Sequence, residues 1–416
     1  MGPRFIVGLD IGTASAKIAA AELKNGKIIL RYLYKEPTAG LRHGAVCDLA
    51  EAVPSVSRAL EQVKRLGKAG LRAVYANIGT PQIKAQNCHG IVAVSRADNE
   101  IYQDDIDRAI KASEAVNLPP NRMVIHNVTR EFVVDGVPDI GNPLGLSGNR
   151  LEVNSVIIDA FAPHVKNVMR LVELSGGDIG TVIFNPLAAS RSALTKRQKE
   201  LGVALVDIGF GTTSLAVYEE NKLIGVQIFP VGAGNITNDL AVGLRIPVSA
   251  AENLKLQCGF AIASEVGSKE NVELKKFVSG AKNIISRRFV SEIIESRLTE
   301  ILEFVNNELK LMGKAGRLAG GVVFTGGGAK MPGLTELAKQ ELRLSSQIGF
   351  AGDVEKWAKE GDRVIDENME DPEFATSIGL LLWGMDNEGW QPKEKEPFSS
   401  RVSWKGVKDI FRSFLP

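Results

Sequence analysis

The feature that most constrains this chain is a repeated start. Residues 8–13 read GLDIGT and residues 206–212 read VDIGFGT, so an apolar run ends in the same Asp-x-Gly turn at Asp10 and again at Asp207, 197 positions later. Two strand-like runs follow the first turn, 16–23 and 27–34, separated by Asn25-Gly26, a pair that favours a tight hairpin. After the second turn come a strand, a turn containing Asn221 and another strand. Such self-similarity predicts an internal duplication in which each half opens with a β-meander. With 416 residues, the chain has length for about three units of roughly 150 residues and buries enough apolar surface to fold without disulfides or metals.

Between the two starts, Asp48-x-x-Glu51 marks the beginning of a helix running to about Gly67, and 71–78 reads as a strand. From 82 to 160 the pattern changes to a short strand, a helix near 103–117 and long strands near 123–135 and 151–161, joined by the turn-rich GVPDIGNPLGLSGNR. This describes a small α+β insertion. A helix (163–176), a strand (179–184) and a helix (186–199) return to the first lobe. The second half is helical from 234 to 310, then offers the strand 321–325, three glycines and a helix, and its last helix ends near Gly384. The expected divisions are 1–81 and 161–200 for the first lobe, 82–160 for the insertion, 201–230 and 313–386 for the second lobe, and 231–312 for a smaller subdomain. Residues 387–400 read as a linker and 401–416 as an amphipathic helix.

Composition removes several classes of function. The 50 Lys+Arg balance 49 Asp+Glu, so the chain-wide basic footprint of a nucleic-acid binder is missing. No uncharged apolar run approaches the ~20 residues that span a bilayer. Cys47, Cys88 and Cys258 lie far apart, which argues against disulfides and zinc and fits a reducing cytoplasm. His43, His89, His126 and His164 are scattered, which leaves little for a histidine-based triad or metal site. The opening MGPRFIVGLDIG lacks a signal peptide, and Ile6 stands where a myristoylation motif needs Ser or Thr, so the chain is expected to start inside its fold.

An Asp-x-Gly-Thr turn between two strands is suited to phosphate. Glycine admits close backbone approach, main-chain amides and a Thr hydroxyl donate hydrogen bonds, and the Asp faces the accompanying metal. Two such hairpins opposed across a cleft would clamp a triphosphate. One Asp-x-Gly is more often a structural turn; two at the heads of duplicated halves, with Gly326-Gly327-Gly328 after a strand in the second, form the specific signal. These residues resemble the actin/Hsp70/sugar-kinase ATPase superfamily, with Asp10 to Lys17 and Asp207 to Thr213 similar to its two phosphate loops and Phe324 to Lys330 to its adenosine loop. More narrowly, NPLGLSGNRLEV (142–153), VGAGNITNDLA (231–241), AENLKLQCGFA (251–261), TGGGAKMPGL (325–334) and the tail helix resemble FtsA, the actin-like bacterial division family, over essentially the whole chain.

The resemblance implies a duplicated actin-like (ribonuclease H-like) ATPase fold, α/β in class, with two lobes around a nucleotide cleft. It assigns Asp10 and Asp207 to Mg²⁺ through water, and Gly12, Thr13 and Lys17 to the phosphates of ATP from one side. Gly209, Gly211, Thr212 and Thr213 would bind them from the other. Gly326, Gly327 and Gly328 would meet adenosine and the α-phosphate, Glu252 and Lys255 the ribose or adenine, and Gly232 and Gly234 would let the backbone pass close to the nucleotide. Ser214 stands where relatives such as Hsp70 often carry Asp. Asn185 stands where the hydrolytic relative MreB has a Glu, and an amide cannot serve as general base toward water. Nucleotide binding with weak or no turnover is therefore expected, although Asn185 also reads as a plain helix N-cap.

In the tail, Trp404, Val407, Ile410, Phe411, Phe414 and Leu415 fall within an arc of about 140° at helical spacing. Arg401, Lys405, Lys408 and Arg412 line the other side, against the single acid Asp409. Aromatic residues opposite cations describe a helix lying in an anionic membrane interface, and its ~18 Å length is too short to span. Docking onto the protein's own body is the plainer alternative, less favoured because a Pro-containing linker intervenes. By resemblance, the chain polymerises with contacts through the insertion, binds the C-terminal peptide of the tubulin-like protein FtsZ, and tethers it at the septum to the inner face of the cell membrane, where later division proteins join. Arg287, Arg288 and Arg297, on a helix near 281–310, are candidate anchors for that peptide, or else part of a solvated face. A soluble ATPase or kinase, or the actin-like assembly protein of type IV pili, would share the loops but not the tail.

Overall fold

A computed structural model of the protein describes residues 4–24, 27–64, 71, 74–95, 98–281, 283–352 and 368–387. The apolar run ending at Asp10 is β1 (Arg4–Ile11), which pairs antiparallel with β2 (Ser15–Lys24), and β2 with β3 (Lys27–Pro37). Asn25 and Gly26, the expected hairpin turn, lie outside the described residues. A small hairpin, β4 (Leu41–Arg42) and β5 (Ala45–Val46), leads to α1 (Leu49–Lys64). Asp48 caps this helix, its Oδ1 accepting from the Ala50 and Glu51 amides at 2.8 and 3.1 Å. Its own N–H donates to Gly40 O at 3.0 Å, so the reciprocal arm of a capping box has no donor left to serve.

The wholly buried β6 (Val74–Ile78) runs parallel to β1. The insertion follows as β7 (Lys84–Ala93), α2 (Gln103–Ser113), β8 (Arg122–Val134), β9 (Val137–Ile140) and β10 (Arg150–Phe161), an antiparallel sheet in the order β7-β10-β8-β9. The strand β9 lies within the stretch that reads as turn. After α3 (Ala162–Leu174), β11 (Ile179–Phe184) completes a first sheet ordered β11-β6-β1-β2-β3. The single helix expected over 186–199 is two, α4 (Asn185–Ala193) and α5 (Lys196–Leu201). Leu194 is extended between them, and Thr195 with Gln198 forms a new capping box, with Gln198 N donating to Thr195 Oγ1 at 3.2 Å and Thr195 N to Gln198 Oε1 at 2.8 Å.

The second half repeats the plan. Strands β12 (Val203–Ile208), β13 (Thr213–Glu219) and β14 (Lys222–Phe229) form the meander, closed at Glu220-Asn221 with φ of 53° and 61°, the paired left-handed geometry of a tight hairpin. Next come α6 (Ala233–Leu244), α7 (Val248–Cys258), the hairpin β15 (Asn271–Glu273) and β16 (Ile284–Ser286), and α8 (Arg287–Leu311). Then β17 (Val322–Thr325), α9 (Leu334–Leu342) and β18 (Ser346–Ile348) give a sheet ordered β14-β13-β12-β17-β18, matching the first strand for strand. The chain's last described helix is α10 (Ala375–Asn387), apolar on all sides and accordingly buried.

The two halves exchange these closing helices. Helix α4, at the end of the first half, packs on β12 and β13; α10, at the end of the second, packs on β1, β2 and β6. They cross so closely that a Cβ on Gly379 would lie 1.8 Å from Ala188 O. The insertion also holds the second half: Arg130 Nε on β8 donates to Leu223 O at 2.6 Å, and another of its N–H groups donates to Ile224 O, both on the edge strand β14. The linker beyond Asn387 and the tail, with Trp404, Lys405, Val407, Lys408, Ile410, Phe411, Arg412, Phe414 and Leu415, lie outside the described residues. Among the described residues, no helix is long and apolar enough to cross a membrane.

Candidate functional site

The two equivalent turns meet at one cleft of about 350 Å³ between the five-stranded sheets. Each closes in the same way, Gly12 N donating to Ser15 O at 3.1 Å and Gly209 N to Thr212 O at 2.9 Å. The β4–β5 turn joins them: Gly44 N donates to Thr13 Oγ1 at 3.1 Å, and His43 Nδ1 lies 2.7 Å from Gly211 O. Asp10, Gly12, Thr13, Lys17, Asp207, Gly209, Gly211, Thr212, Glu252, Lys255, Gly326, Gly327 and Gly328 all line this space.

Register explains why the two aspartates differ. Asp10 sits opposite Lys17 in the β1–β2 ladder, whereas Asp207 sits opposite Ser214 in the β12–β13 ladder. Asp10 Oδ2 therefore has the Lys17 ammonium at 3.4 Å, and its Oδ1 accepts from Asn77 Nδ2 at 2.6 Å. Among the described residues, Asp207 has only the Thr376 hydroxyl, at 3.3 Å. Burial raises the Asp10 pKa, and Lys17 works against that rise. Burial, then the negative charge of Asp10, push Asp207 up to about 6. Burial opposes the Lys17 ammonium, but Asp10, Glu373 and Asp207 outweigh it and its pKa is raised. Two facing carboxylates with one close ammonium suit a divalent cation. Among the described residues no cluster of three acidic, His or Cys side chains could cage a metal alone, so Mg²⁺ here would take its remaining ligands from water and phosphate.

The glycine-rich loop after β17 comes from the second half. Gly326 needs its left-handed φ of 84°, and a Cβ there would lie 2.2 Å from Asp207 Oδ1, so only glycine lets this loop close over the aspartate. Lys255 is nearly buried and donates to Glu252 Oε2 at 2.7 Å, Thr237 Oγ1 at 2.9 Å and Ala233 O at 3.2 Å. Desolvation lowers its pKa, against the pull of Glu252.

Three residues expected at the site do not themselves line the cleft. Gly232 and Gly234 lie beneath the second loop, where Cβ atoms would come within 2.5 Å of Gly209 O and 2.6 Å of the Phe210 ring. There the Ala233 and Gly234 amides donate to Gly209 O and Phe210 O at 2.8 Å, and Ala233 between them lines the cleft, so the glycines let the backbone pass tightly against the second loop at the cleft wall. Thr213 is fully buried, does not line the cleft, and its hydroxyl has no partner; Thr212 is the threonine that faces in. Asn185 lines the cleft as the first residue of α4, which Phe184 precedes as N-cap, and its buried Oδ1 accepts nothing. The N-cap reading therefore fails, and the free carbonyl is an acceptor available to a ligand or water.

Sequence reasoning missed Asn77, Thr376, Lys35 and Glu373, all on the cleft. Asn77 had a signal, being the one amide in the buried strand VYANI. The candidate arginines are engaged inside the protein. Arg287 donates to Cys258 O at 2.9 Å and Glu270 at 2.6 Å, Arg288 to Val266 O at 2.9 and 3.1 Å, and Arg297 grips Asp239 bidentately at 2.6 and 3.0 Å. The groove beside Arg297 also contains Glu292 and Glu300, so it is acidic on balance.

Two similar five-stranded sheets exchanging helices about a cleft define the actin-like ATPase fold. Solved structures of that fold agree. The chain is similar to one in the PilM-PilN type IV pilus biogenesis complex (TM-score 0.66, 18% identity, 91% of this chain and 98% of that one). It is also similar to MreB5 of Spiroplasma citri bound to ADP (TM-score 0.55, 13% identity, 92% and 98%). At such identities the likeness concerns the fold alone. The family model for "Cell division protein FtsA" matches residues 204–379, and that for "SHS2 domain inserted in FTSA" matches 81–159. The chain is 33% identical to the cell division protein FtsA of Bacillus subtilis over 92% of its length and 83% of the relative's, and 31% identical to that of Escherichia coli over 96% of both. It belongs to the FtsA family of cell division proteins.

Proposed function

We propose that this FtsA-family protein binds ATP with Mg²⁺ in the interlobe cleft, polymerises, and tethers FtsZ to the inner face of the cell membrane through its C-terminal helix. The observation that carries the nucleotide reading is the opposition of Asp10 and Asp207, presented by equivalent turns and short of positive charge. When bound, Mg²⁺ supplies the charge that these carboxylates and a triphosphate both require. Thr13, Thr212 and the amides of the two turns donate to phosphate, Lys17 neutralises it, and Gly326 to Gly328 with Lys255 and Glu252 receive the nucleoside. Asn185 holds water by its carbonyl but cannot take a proton from it, so turnover is weak. Family membership supports the septal, peripheral location and division partners, and the insertion is the proposed subunit contact. An acidic segment of FtsZ docking near Arg297 has to displace Asp239 from its guanidinium.

Liposome co-sedimentation with Mg-ATP tests the whole reading, comparing the full chain with one ending at Asn387, on anionic and neutral lipids, with phosphate release assayed in the same tubes. Tail-dependent pelleting on anionic lipid with little phosphate release is expected. Brisk release from protein that stays in the supernatant in both forms would point instead to a soluble ATPase or kinase.

A further inference from the structure

The lysines of the cleft already hold an anion. Lys35, on β3 of the first half, pairs with Glu373 Oε2 at 2.5 Å. Lys330, just past the glycine loop of the second half, pairs with Glu373 Oε1 at 3.0 Å and with Asp371 Oδ2 at 2.8 Å. The Glu373 side chain is only 10% exposed, and its carboxyl carbon lies 3.5 Å from where a Gly327 Cβ would stand. Burial by itself would raise the Glu373 pKa, yet Lys35, Lys17 and Lys330 hold it near 2, so the group is an anion at every working pH. Lys35, Lys330 and Glu373 line the same cavity as the two Asp-x-Gly turns.

Charge makes this arrangement costly for a polyphosphate. With Glu252 and Lys255 cancelling each other, the cations lining the cleft are Lys17, Lys35 and Lys330, and the anions are Asp10, Asp207 and Glu373. Among the lining groups alone the lysines outnumber the carboxylates without Glu373; with it seated on Lys35 and Lys330, and Asp371 holding Lys330 from outside the lining, nothing is left over for phosphate until Mg²⁺ neutralises the aspartates.

We propose that Glu373 is a built-in competitor for the nucleotide's phosphates, seated on Lys35 and Lys330 and bridging the two halves until a polyphosphate displaces it. This rests on the nucleotide reading above and adds to it a residue that sets affinity. Glu373 lowers the affinity for anything carrying the polyphosphate far more than for the nucleoside alone.

The test is calorimetric titration of the full chain, wild type against Glu373→Gln and Lys35→Gln, with Mg-ATP, Mg-tripolyphosphate and adenosine. Glu373→Gln should bind Mg-ATP and Mg-tripolyphosphate at least about tenfold tighter than wild type, with adenosine affected far less, because Lys35 is released to the phosphates and Lys330 keeps only its Asp371 partner. Lys35→Gln, which removes a phosphate donor along with the bridge, should gain less than Glu373→Gln. If Glu373→Gln does not fold, Glu373→Asp, one methylene too short to hold both lysines, should tighten tripolyphosphate by at least threefold. Should wild type bind Mg-ATP while no Glu373 variant binds either polyphosphate more tightly, Glu373 is a structural strut and the competitor is refuted with the nucleotide reading intact. Should neither wild type nor Glu373→Gln bind Mg-ATP, both fall together.

Discussion

Replacing Asp207 with asparagine separates two effects of opposite sign. Asp207 is pushed up to about 6 by burial and by the charge of Asp10, and only its ionised form attracts a cation. At pH 5 about one tenth of the groups are ionised and at pH 7 about nine tenths, so Mg-ATP affinity should be about tenfold lower at pH 5, with protons released on binding near pH 6. For the ligand-free fold the sign reverses. The native pKa lies above the unfolded value of 3.8, so the native state keeps a proton that the unfolded chain loses between about pH 4 and 6. Stability credited to the protonated form is full below about pH 4 and gone above about pH 6. A shift of roughly two units is worth about 3 kcal/mol, an upper bound for a half-buried side chain. Asp207→Asn should therefore be more stable than wild type at pH 7.5 by up to about 3 kcal/mol, lose that advantage at pH 4, and lose the Mg²⁺-dependent share of nucleotide affinity. Urea melts at the two pH values test the stability claim. Calorimetric titrations from pH 5 to 8, in buffers of different ionisation enthalpy, test the binding claim. Wild-type affinity that stays flat across that range, or a variant less stable than wild type at pH 7.5, would refute the reasoning.

Other substitutions probe the frame around the cleft. Gly379→Ala places a methyl 1.8 Å from Ala188 O and should destabilise the protein by about 3 kcal/mol or more in a urea melt; unchanged stability would mean that α4 and α10 cross less closely. Asn77→Leu removes the acceptor of the Ile11 amide and the donor to Asp10, both at 2.6 Å, and should cost about 2–4 kcal/mol, measured the same way. Asn185→Glu places a carboxylate on the cleft wall and should raise single-turnover phosphate release at least about tenfold; no gain in a variant that still binds Mg-ATP would show that turnover is limited elsewhere.

The duplication was legible because each copy announces itself with an apolar run and an Asp-x-Gly turn, a signal local to a few residues. What sequence could not supply was register. That Lys17 falls opposite Asp10 while only Ser214 falls opposite Asp207 is a property of strand pairing, and it determines which carboxylate is left unbalanced. Gly232 and Gly234 look like ligand-contact glycines in a string of letters. Only the return of α6 beneath the second loop shows that the close approach they permit is to Gly209 O and the Phe210 ring, with Ala233 between them on the cleft. The arginines of α8 read as free cations for a similar reason: their partners Asp239 and Glu270 are distant along the chain. Glu373 and Lys35, 338 residues apart, carry no pattern that a scan along the chain could find.

The exchanged helices explain why stability and binding should move together in this fold. Thr376, near the start of α10, holds Asp207, while α10 itself lies on the first sheet. Asn185 opens α4 and lines the cleft, while α4 lies on the second sheet. Each half thus contributes a cleft residue from a helix seated on the other half. The lobes cannot part without unseating both helices. Forcing the crossing of Ala188 and Gly379 open by one methyl therefore shifts Thr376 away from Asp207 and Asn185 away from the phosphate turns at once. In Gly379→Ala the loss of nucleotide affinity should accompany the loss of stability, whereas a purely local packing defect would leave affinity alone.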